Sequence, residues 1–375
     1  MLKSNNREIP IHMTKHIAIF IPAMKGGGIA GSMVNLSKNL AENDYVIDFV
    51  LPEKRGPFLK KLDDGANVID LKCKSSIWLA LPKLIRYIKE VKPDAVMSSP
   101  ERASVILAIV KKRLGNRFRS IIRIDSTTSI DLPKNKAWKT RNIFPFLIRR
   151  YYGCSDEIVA VSDGVARDLY DNFGVKCTRR IYNGIISEDI FRQAEEPINE
   201  DFFAQDDKVI LSAGRLAEQK NYNLLIDAFS RIPHKGYKLV ILGEGGERES
   251  LTAQVKKLGL TGEVIMPGFV SNPYKFMARS SLFVLSSDWE GLANVLIEAL
   301  ALGLPVVSTD CPHGPMEILK DGKFGHLVPT GDVEALASAM LQSLEGDKRI
   351  PQLSDLKEFT VEESTRQYMK LFDSQ

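Results

Sequence analysis

The sequence predicts an α/β protein made of two doubly wound parallel-sheet domains that face each other across a cleft. Three observations predict it. The chain has 375 residues, roughly twice the size of a usual domain. Short apolar, β-branched runs recur with helix-like patterns between them, which is the βαβ rhythm of a parallel sheet. That rhythm stops once, at the polar and aperiodic run Gln-Ala-Glu-Glu-Pro-Ile-Asn-Glu-Asp beyond Phe191, and then begins again.

The first set of predicted strands covers 16–21, 46–51, 68–71, 95–97, 121–124 and 157–161. Each is a near-continuous apolar run, as expected of strands buried on both faces. After the first strand, Gly26-Gly27-Gly28-Ile29-Ala30-Gly31 opens a helix whose apolar face continues through Met33, Leu36 and Leu40. The second set covers 209–212, 238–242, 263–266, 282–285, 306–308 and 326–328, with helices such as 223–231 and 247–258 between strands. Residues 361–372 pattern as a last helix. The expected division is 1–190 for the first domain, 191–355 for the second and 356–375 for a C-terminal helix packing back toward the first. In open parallel sheets ligands sit beyond the carboxyl ends of the strands, so the chemistry belongs in the cleft.

Composition excludes several classes. Hydrophobic residues at 44% and charged residues at 26% are those of a globular chain rather than a disordered one or a fibre. The longest apolar candidate, 291–307, contains Glu298 and breaks at Gly303 and Pro305, so no spanning helix is expected. The polar start lacks a secretory pattern, and a cytoplasmic protein is expected. Cys73, Cys154, Cys177 and Cys311 are far apart without a C-x-x-C pair, and the five histidines lack ligand spacing. This predicts reduced thiols and no zinc site.

The net charge of +4 hides an imbalance. Residues 1–200 hold 33 Lys and Arg against 23 Asp and Glu, whereas 201–375 hold 18 against 24. Within 72–150 the ratio is 19 to 5, interleaved with Trp78, Tyr87, Phe118, Trp138, Phe144, Phe146 and Tyr151. Two amphipathic stretches, 78–89 and 138–152, favour an anionic lipid surface as partner. An ordinary solvated basic face is the alternative. No nucleic-acid module is recognisable, and nucleic acid is not expected.

Three motifs carry chemistry. The glycine run satisfies G-x-G-x-x-G, but four residues separate it from the strand and Asp48 lies inside the second strand, which argues against a dinucleotide fingerprint. Glycines there still let an anion approach the positive end of a helix, with a plain flexible turn as the alternative. In Gly214-Arg215-Leu216-Ala217-Glu218-Gln219-Lys220 two cations follow a strand end, able to clamp a diphosphate or to be simple surface charges. In Glu290-Gly291-Leu292-Ala293-Asn294 and onward to Glu298, Glu290 precedes a helix and Glu298 lies in its apolar body. A buried carboxylate needs a partner, and paired ligand hydroxyls would serve, as would an internal pairing.

Together these motifs resemble the retaining glycosyltransferases of family 4, which have the GT-B fold of two Rossmann-like domains. Arg215 and Lys220 match that family's G-R-x-x-x-x-K, and Glu290 with Glu298 its E-x7-E. Gly243-Glu244-Gly245, Gly268-Phe269-Val270 and Asn183-Gly184-Ile185 with Phe191 match further loops, from about residue 16 to 371. The run from Val307 to Leu319, with Cys311-Pro312-His313-Gly314-Pro315, resembles a bacterial subgroup that builds surface polysaccharides, O-antigen, capsule and lipid-linked oligosaccharides.

The resemblance implies roles. Glu298 would hold the donor ribose hydroxyls, and Arg215 and Lys220 with Gly214 the diphosphate. Glu290 and the amides of Gly291, Leu292, Ala293 and Asn294 would hold the transferred sugar. Gly26, Gly27 and Gly28 would approach the diphosphate from the other domain, Gly243 would lie in the donor loop, and Phe269, Val270 and Ser271 would flank the base. Two positions depart from the family: Asp125 stands where many members have a His, and Ala30-Gly31 where many have Glu-Arg. Asp125 is accordingly a candidate base or nucleophile, with front-face substitution the favoured mechanism. The activity implied is metal-independent, cofactor-free transfer of a hexosyl or N-acetylhexosaminyl group from a nucleotide diphosphate sugar, a UDP-sugar first among them. The implied acceptor is a lipid-linked glycan at the inner face of the cell membrane. The same chemistry on a soluble acceptor, and a non-catalytic glycan- or nucleotide-binding protein, are the alternatives.

Overall fold

The computed structural model describes residues 14–24, 28–62, 66–73, 76–131, 143–203, 208–233 and 236–374. Two separate parallel sheets organise them. The first contains β1 (His16–Phe20), β2 (Val46–Leu51), β3 (Ala66–Asp70), β4 (Ala95–Ser98), β5 (Arg119–Ile124), β6 (Glu157–Ala160) and β7 (Arg179–Arg180) in the order β3-β2-β1-β4-β5-β6-β7. The second contains β8 (Lys208–Ala213), β9 (Tyr237–Leu242), β10 (Val264–Gly268), β11 (Leu282–Leu285), β12 (Val306–Thr309) and β13 (His326–Val328) in the order β10-β9-β8-β11-β12-β13. The apolar runs became strands because most are buried on both faces; β4, β6, β11 and β12 are buried throughout. β7, two exposed arginines at a sheet edge, carries no apolar run and was not predicted.

Helices cover both sheets. Those of the first half are α1 (Gly28–Glu42), α2 (Ala80–Val91), α3 (Glu101–Leu114), α4 (Thr128–Asp131), α5 (Ile143–Tyr151), α6 (Asp163–Phe173) and α7 (Glu188–Ala194). Those of the second are α8 (Tyr222–Arg231), α9 (Arg248–Lys257), α10 (Tyr274–Met277), α11 (Asn294–Ala301), α12 (Pro315–Ile318), α13 (Val333–Glu345) and α14 (Val361–Asp373). Strand order reverses between β1 and β4 in one sheet and between β8 and β11 in the other. Each reversal opens a crevice at the carboxyl ends of the strands, because the flanking connections leave in opposite directions.

The last helix returns to the first sheet. The Ile185 and Ile186 amides donate to Phe359 O at 2.8 and 3.1 Å, and Lys15 Nζ donates to Phe372 O at 3.1 Å. Tyr45 Oη donates to Asp373 at 2.8 Å, while Tyr368 and Phe372 sit in the core beneath α1. Gly184 is needed at the crossing, since a Cβ there would lie 2.8 Å from Val361 Cα.

Part of the basic excess of the first half is spent internally. Lys111 pairs with Asp156 at 2.7 Å, Arg119 with Glu157 at 2.7 Å, and Arg123 is 1% exposed in the middle of β5. Other cations lie against aromatic rings, Arg102 over Phe144 and Lys112 and Arg150 over Tyr151. Trp78, Leu79, Ile143 and Phe146 are exposed, Phe146 to 63%, while Trp78 meets the Phe144 ring. Trp138 and the cations of 132–142 lie outside the described residues. Among the described residues no helix is long and apolar enough to cross a membrane, and the four cysteines are free thiols.

Candidate functional site

Three loops at the carboxyl ends of β8, β9 and β10 are laced together by their backbones. Gly214 N donates to Leu242 O at 2.9 Å, Leu216 N to Glu244 O at 3.0 Å, and Gly243 N to Gly268 O at 2.8 Å. The approach is too close for side chains. A Cβ on Gly243, whose φ is 143°, would stand 1.9 Å from Gly214 O, and one on Gly245 2.1 Å from Leu216 O. This lacing presents Arg215, which is exposed, and Lys220 along one rim. Phe269, 76% exposed, with Val270 and Ser271 follows Gly268 on the same rim.

Lys220 and Glu290, predicted separately, meet. Lys220 Nζ donates to Glu290 Oε1 at 2.5 Å. Ser287 Oγ donates to the same oxygen at 2.7 Å, and Gln219 Nε2 reaches the other at 3.4 Å. The carboxylate is 8% exposed, so the ammonium supplies the charge balance that its burial requires. Glu298 lies one helical stretch further on, in α11. Burial pushes its carboxyl pKa up to about 7, against the opposing pull of the Tyr274 hydroxyl at 3.4 Å and the Lys220 charge. An apolar helix has thus kept one carboxyl poorly solvated within the field of the cation at the strand end.

The second wall comes from the first domain. Gly291 is in contact with the loop after β5, and a Cβ there would lie 2.2 Å from Asp125 O. Thr127 Oγ1 donates to Glu290 O, and Ser162 Oγ to Gly291 O, both at 2.8 Å. A Cβ on Gly28 would lie 2.7 Å from Asn294 Nδ2, so the start of α1 faces the start of α11 across the domain boundary. Two helix N-termini meet there with their positive dipole ends, the arrangement that favours an anion such as a diphosphate, although at α11 the Asn294 and Leu296 amides already donate to Leu292 O and Ala293 O, both at 2.9 Å. Leu292 and Ala293 bury their side chains and shape the turn into α11 through their backbone. Gly26 and Gly27 lie outside the described residues.

Asp125 is placed otherwise than a reacting group requires. Its side chain is 1% exposed, one oxygen is 2.6 Å from Arg123, and the other accepts from Ser99 Oγ. Its carbonyl, not its carboxylate, reaches the second domain. Two residues escaped selection as site residues, Arg123 and Asn183, which join Asp125 to Asn294 through hydrogen bonds of 2.6 and 3.0 Å. The signal for Arg123 was present: a charge interrupting the apolar run Ile121-Ile122-Arg123-Ile124.

A cavity of about 760 Å³ also opens on the domain boundary, lined by Asp163, Arg167, Tyr182, His313, Glu317 and Lys320 among others. It includes none of the cleft residues just described. Glu317 ties its walls together, accepting from Tyr182 Oη at 2.6 Å and from the Asp163 amide at 3.0 Å. Among the described residues no three His, Cys, Asp or Glu side chains converge as a metal-binding group.

Known proteins match this architecture along its length. Residues 26–189 match the model described as Glycosyltransferase Family 4, and residues 194–359 the model described as Glycosyl transferases group 1. The N-acetylgalactosamine-N,N'-diacetylbacillosaminyl-diphospho-undecaprenol 4-alpha-N-acetylgalactosaminyltransferase of Campylobacter jejuni is 35% identical over 343 residues, covering 88% of this chain and 91% of that protein. The lipopolysaccharide core biosynthesis glycosyltransferase LpsE of Rhizobium meliloti is 27% identical over 359 residues, covering 93% and 97%. Among solved structures, HepE of Anabaena in complex with UDP-glucose superposes with a TM-score of 0.76 at 21% identity over 96% of this chain and all of that one. Sucrose-phosphate synthase of Thermosynechococcus elongatus does so with a TM-score of 0.76 at 18% identity, over 96% of this chain and 98% of that one. At such identities the structural likenesses establish the fold, while the relatives by sequence are named as glycosyltransferases, LpsE in lipopolysaccharide core biosynthesis. The chain therefore belongs to the family 4 glycosyltransferases and has their GT-B fold.

Proposed function

We propose that this glycosyltransferase moves a hexosyl or N-acetylhexosaminyl group from a UDP-sugar to a lipid-linked glycan, with retention of anomeric configuration. The observation that carries the reading is the Lys220–Glu290 pair, with Glu298 in the field of Lys220, beside the cleft where α1 and α11 face each other. The donor follows from that chemistry: ribose hydroxyls on Glu298, diphosphate beside Arg215, Lys220 and the helix N-termini, and the sugar against Glu290 and the Gly291–Asn294 turn. Solved relatives of this fold in complex with UDP and with UDP-glucose support the choice of nucleotide. The C. jejuni relative, named for an undecaprenol-diphosphate acceptor, supports a lipid-linked one.

In the reaction the bond from C1 to the β-phosphate oxygen breaks and its electron pair stays on the diphosphate. The acceptor oxygen bonds C1 from the same face, and its proton passes to a phosphate oxygen. Negative charge grows on the leaving group, where fixed donors matter most. We assign Asp125 to holding the β5 loop against Gly291, since its carboxylate is committed to Arg123 and Ser99. Charge stabilisation by Arg215, Lys220 and backbone amides makes the reading metal-independent, and activity abolished by EDTA would refute that part. The surface of Trp78, Leu79, Ile143 and Phe146 with neighbouring cations is assigned to an anionic membrane at the inner face of the cell.

Thermal shifts of the purified protein with UDP, GDP, ADP and their sugars, with and without EDTA, test the donor. Selective stabilisation by a UDP-sugar, lost in Glu298→Ala, is the expected result. No shift with any nucleotide would leave the degenerate binding-protein reading standing instead. Co-sedimentation with anionic vesicles at low and high salt tests the membrane surface; retention independent of lipid charge would remove it.

A further inference from the structure

A buried cation in the first domain faces a string of amides that ends in the cleft. Arg123 lies inside β5, 1% exposed, and its guanidinium donates to Ser32 Oγ of α1 at 2.8 Å and to Asn183 Oδ1 at 2.6 Å, beside its ion pair with Asp125. Asn183, 7% exposed, donates through Nδ2 to Asn294 Oδ1 at 3.0 Å. Asn294 then turns its own Nδ2 toward Gly28, where the two helix N-termini meet.

The polarity of this string is not a matter of choice. A guanidinium has five N–H donors and no acceptor, so Asn183 must offer it the carbonyl oxygen. With that oxygen taken, only the Asn183 NH2 group remains to face Asn294. Asn294 must therefore answer with its oxygen and expose its NH2 group at the Gly28 side. An amide that turns over freely in isolation is set in one orientation by a charge two residues away.

We propose that Arg123 and Asn183 are positioning residues for transfer: they fix the Asn294 amide as a hydrogen-bond donor to the diphosphate or transferred sugar. This rests on the donor site assigned above. The string also crosses the domain boundary, from Asn183 in the first domain to Asn294 in the second. Asn294 is thus oriented only when the domains are closed, which couples closure to the readiness of the site.

The test is a double-mutant cycle in the full-length protein, reading UDP release from UDP-glucose, UDP-GlcNAc and UDP-GalNAc without acceptor. Asn183→Asp is nearly isosteric and keeps its pairing with Arg123, yet it cannot donate, so Asn294 turns its oxygen into the site. Asn183→Asp and Asn294→Ala are each expected to lower kcat on the order of 100-fold with little change in KM. The double variant should be no slower than Asn294→Ala alone, because the orientation Asn183 imposes has nothing left to act on. Losses that multiply to about 10⁴-fold would overturn the proposal, since a purely structural role for Asn183 adds to any other loss. If Asn183→Asp does not fold, judged by its unliganded melting transition, Asn183→Ser carries the same cycle. A wild-type protein that no nucleotide sugar stabilises refutes the donor site itself, and the positioning role falls with it. Stabilisation with independent, multiplying losses refutes the relay alone.

Discussion

If Glu298 holds the donor ribose, as proposed, donor binding depends on pH. Burial holds its carboxyl pKa at about 7 in the unliganded protein, against a usual value of 4.5. Ribose hydroxyls donate hydrogen bonds, so the ionised form is the one that receives them best. At pH 6 about one carboxyl in eleven is ionised, and at pH 8 about ten in eleven. If only the ionised form binds, the nucleotide-sugar Kd tightens about tenfold between those values. Stability runs the other way. A carboxyl whose folded pKa is raised stays protonated longer in the native state, so its contribution is intact below the unfolded value and declines as pH rises through about 7. The full loss above that point is about 3 kcal/mol. The assay is calorimetric titration with a UDP-sugar at pH 6, 7 and 8. Free UDP is avoided, because its terminal phosphate titrates near pH 6 in its own right. Glu298→Gln should bind more weakly and lose the pH dependence between 6 and 8. A flat wild-type profile, or an unchanged slope in the Gln variant, would refute the assignment of the ribose to this carboxyl.

Lys220→Ala removes the proposed diphosphate donor and strands the buried Glu290 carboxylate; transfer should fall on the order of 100-fold or more, with a lower melting temperature, and wild-type turnover would contradict the clamp. Gly291→Ala would drive a methyl to 2.2 Å from Asp125 O; the domains must part, and small-angle scattering should report a larger radius of gyration with little residual transfer. Unchanged dimensions with normal activity would show that the close approach is not needed. Asp125→Asn leaves Arg123 buried without its counter-charge, and unfolding should become easier by about 3–5 kcal/mol in urea. An inactive variant of wild-type stability would return Asp125 to the chemistry.

The strands and their order along the chain were legible because a strand buried on both faces leaves a continuous apolar run, readable without neighbours. This held for β1, β4, β6 and β11, and failed for β7, whose two exposed arginines carry no such mark. The cations and carboxylates of the cleft were legible as types at set spacings after strand ends. Their pairing was not: Lys220 meets Glu290 only because the loops after β8 and β11 lie side by side where the strand order reverses. Asp125 shows the same limit from the other side. Sequence places it at the end of β5, in position for chemistry, while the turn of one side chain toward Arg123 and Ser99 takes its carboxylate out of the cleft. Local pattern determines what an element is, since burial and hydrogen bonding act over a few residues. Which side chains meet across the boundary, as Asn183 meets Asn294 and Gly28 meets the start of α11, depends on how two domains dock, and that is a property of packing between residues more than a hundred positions apart.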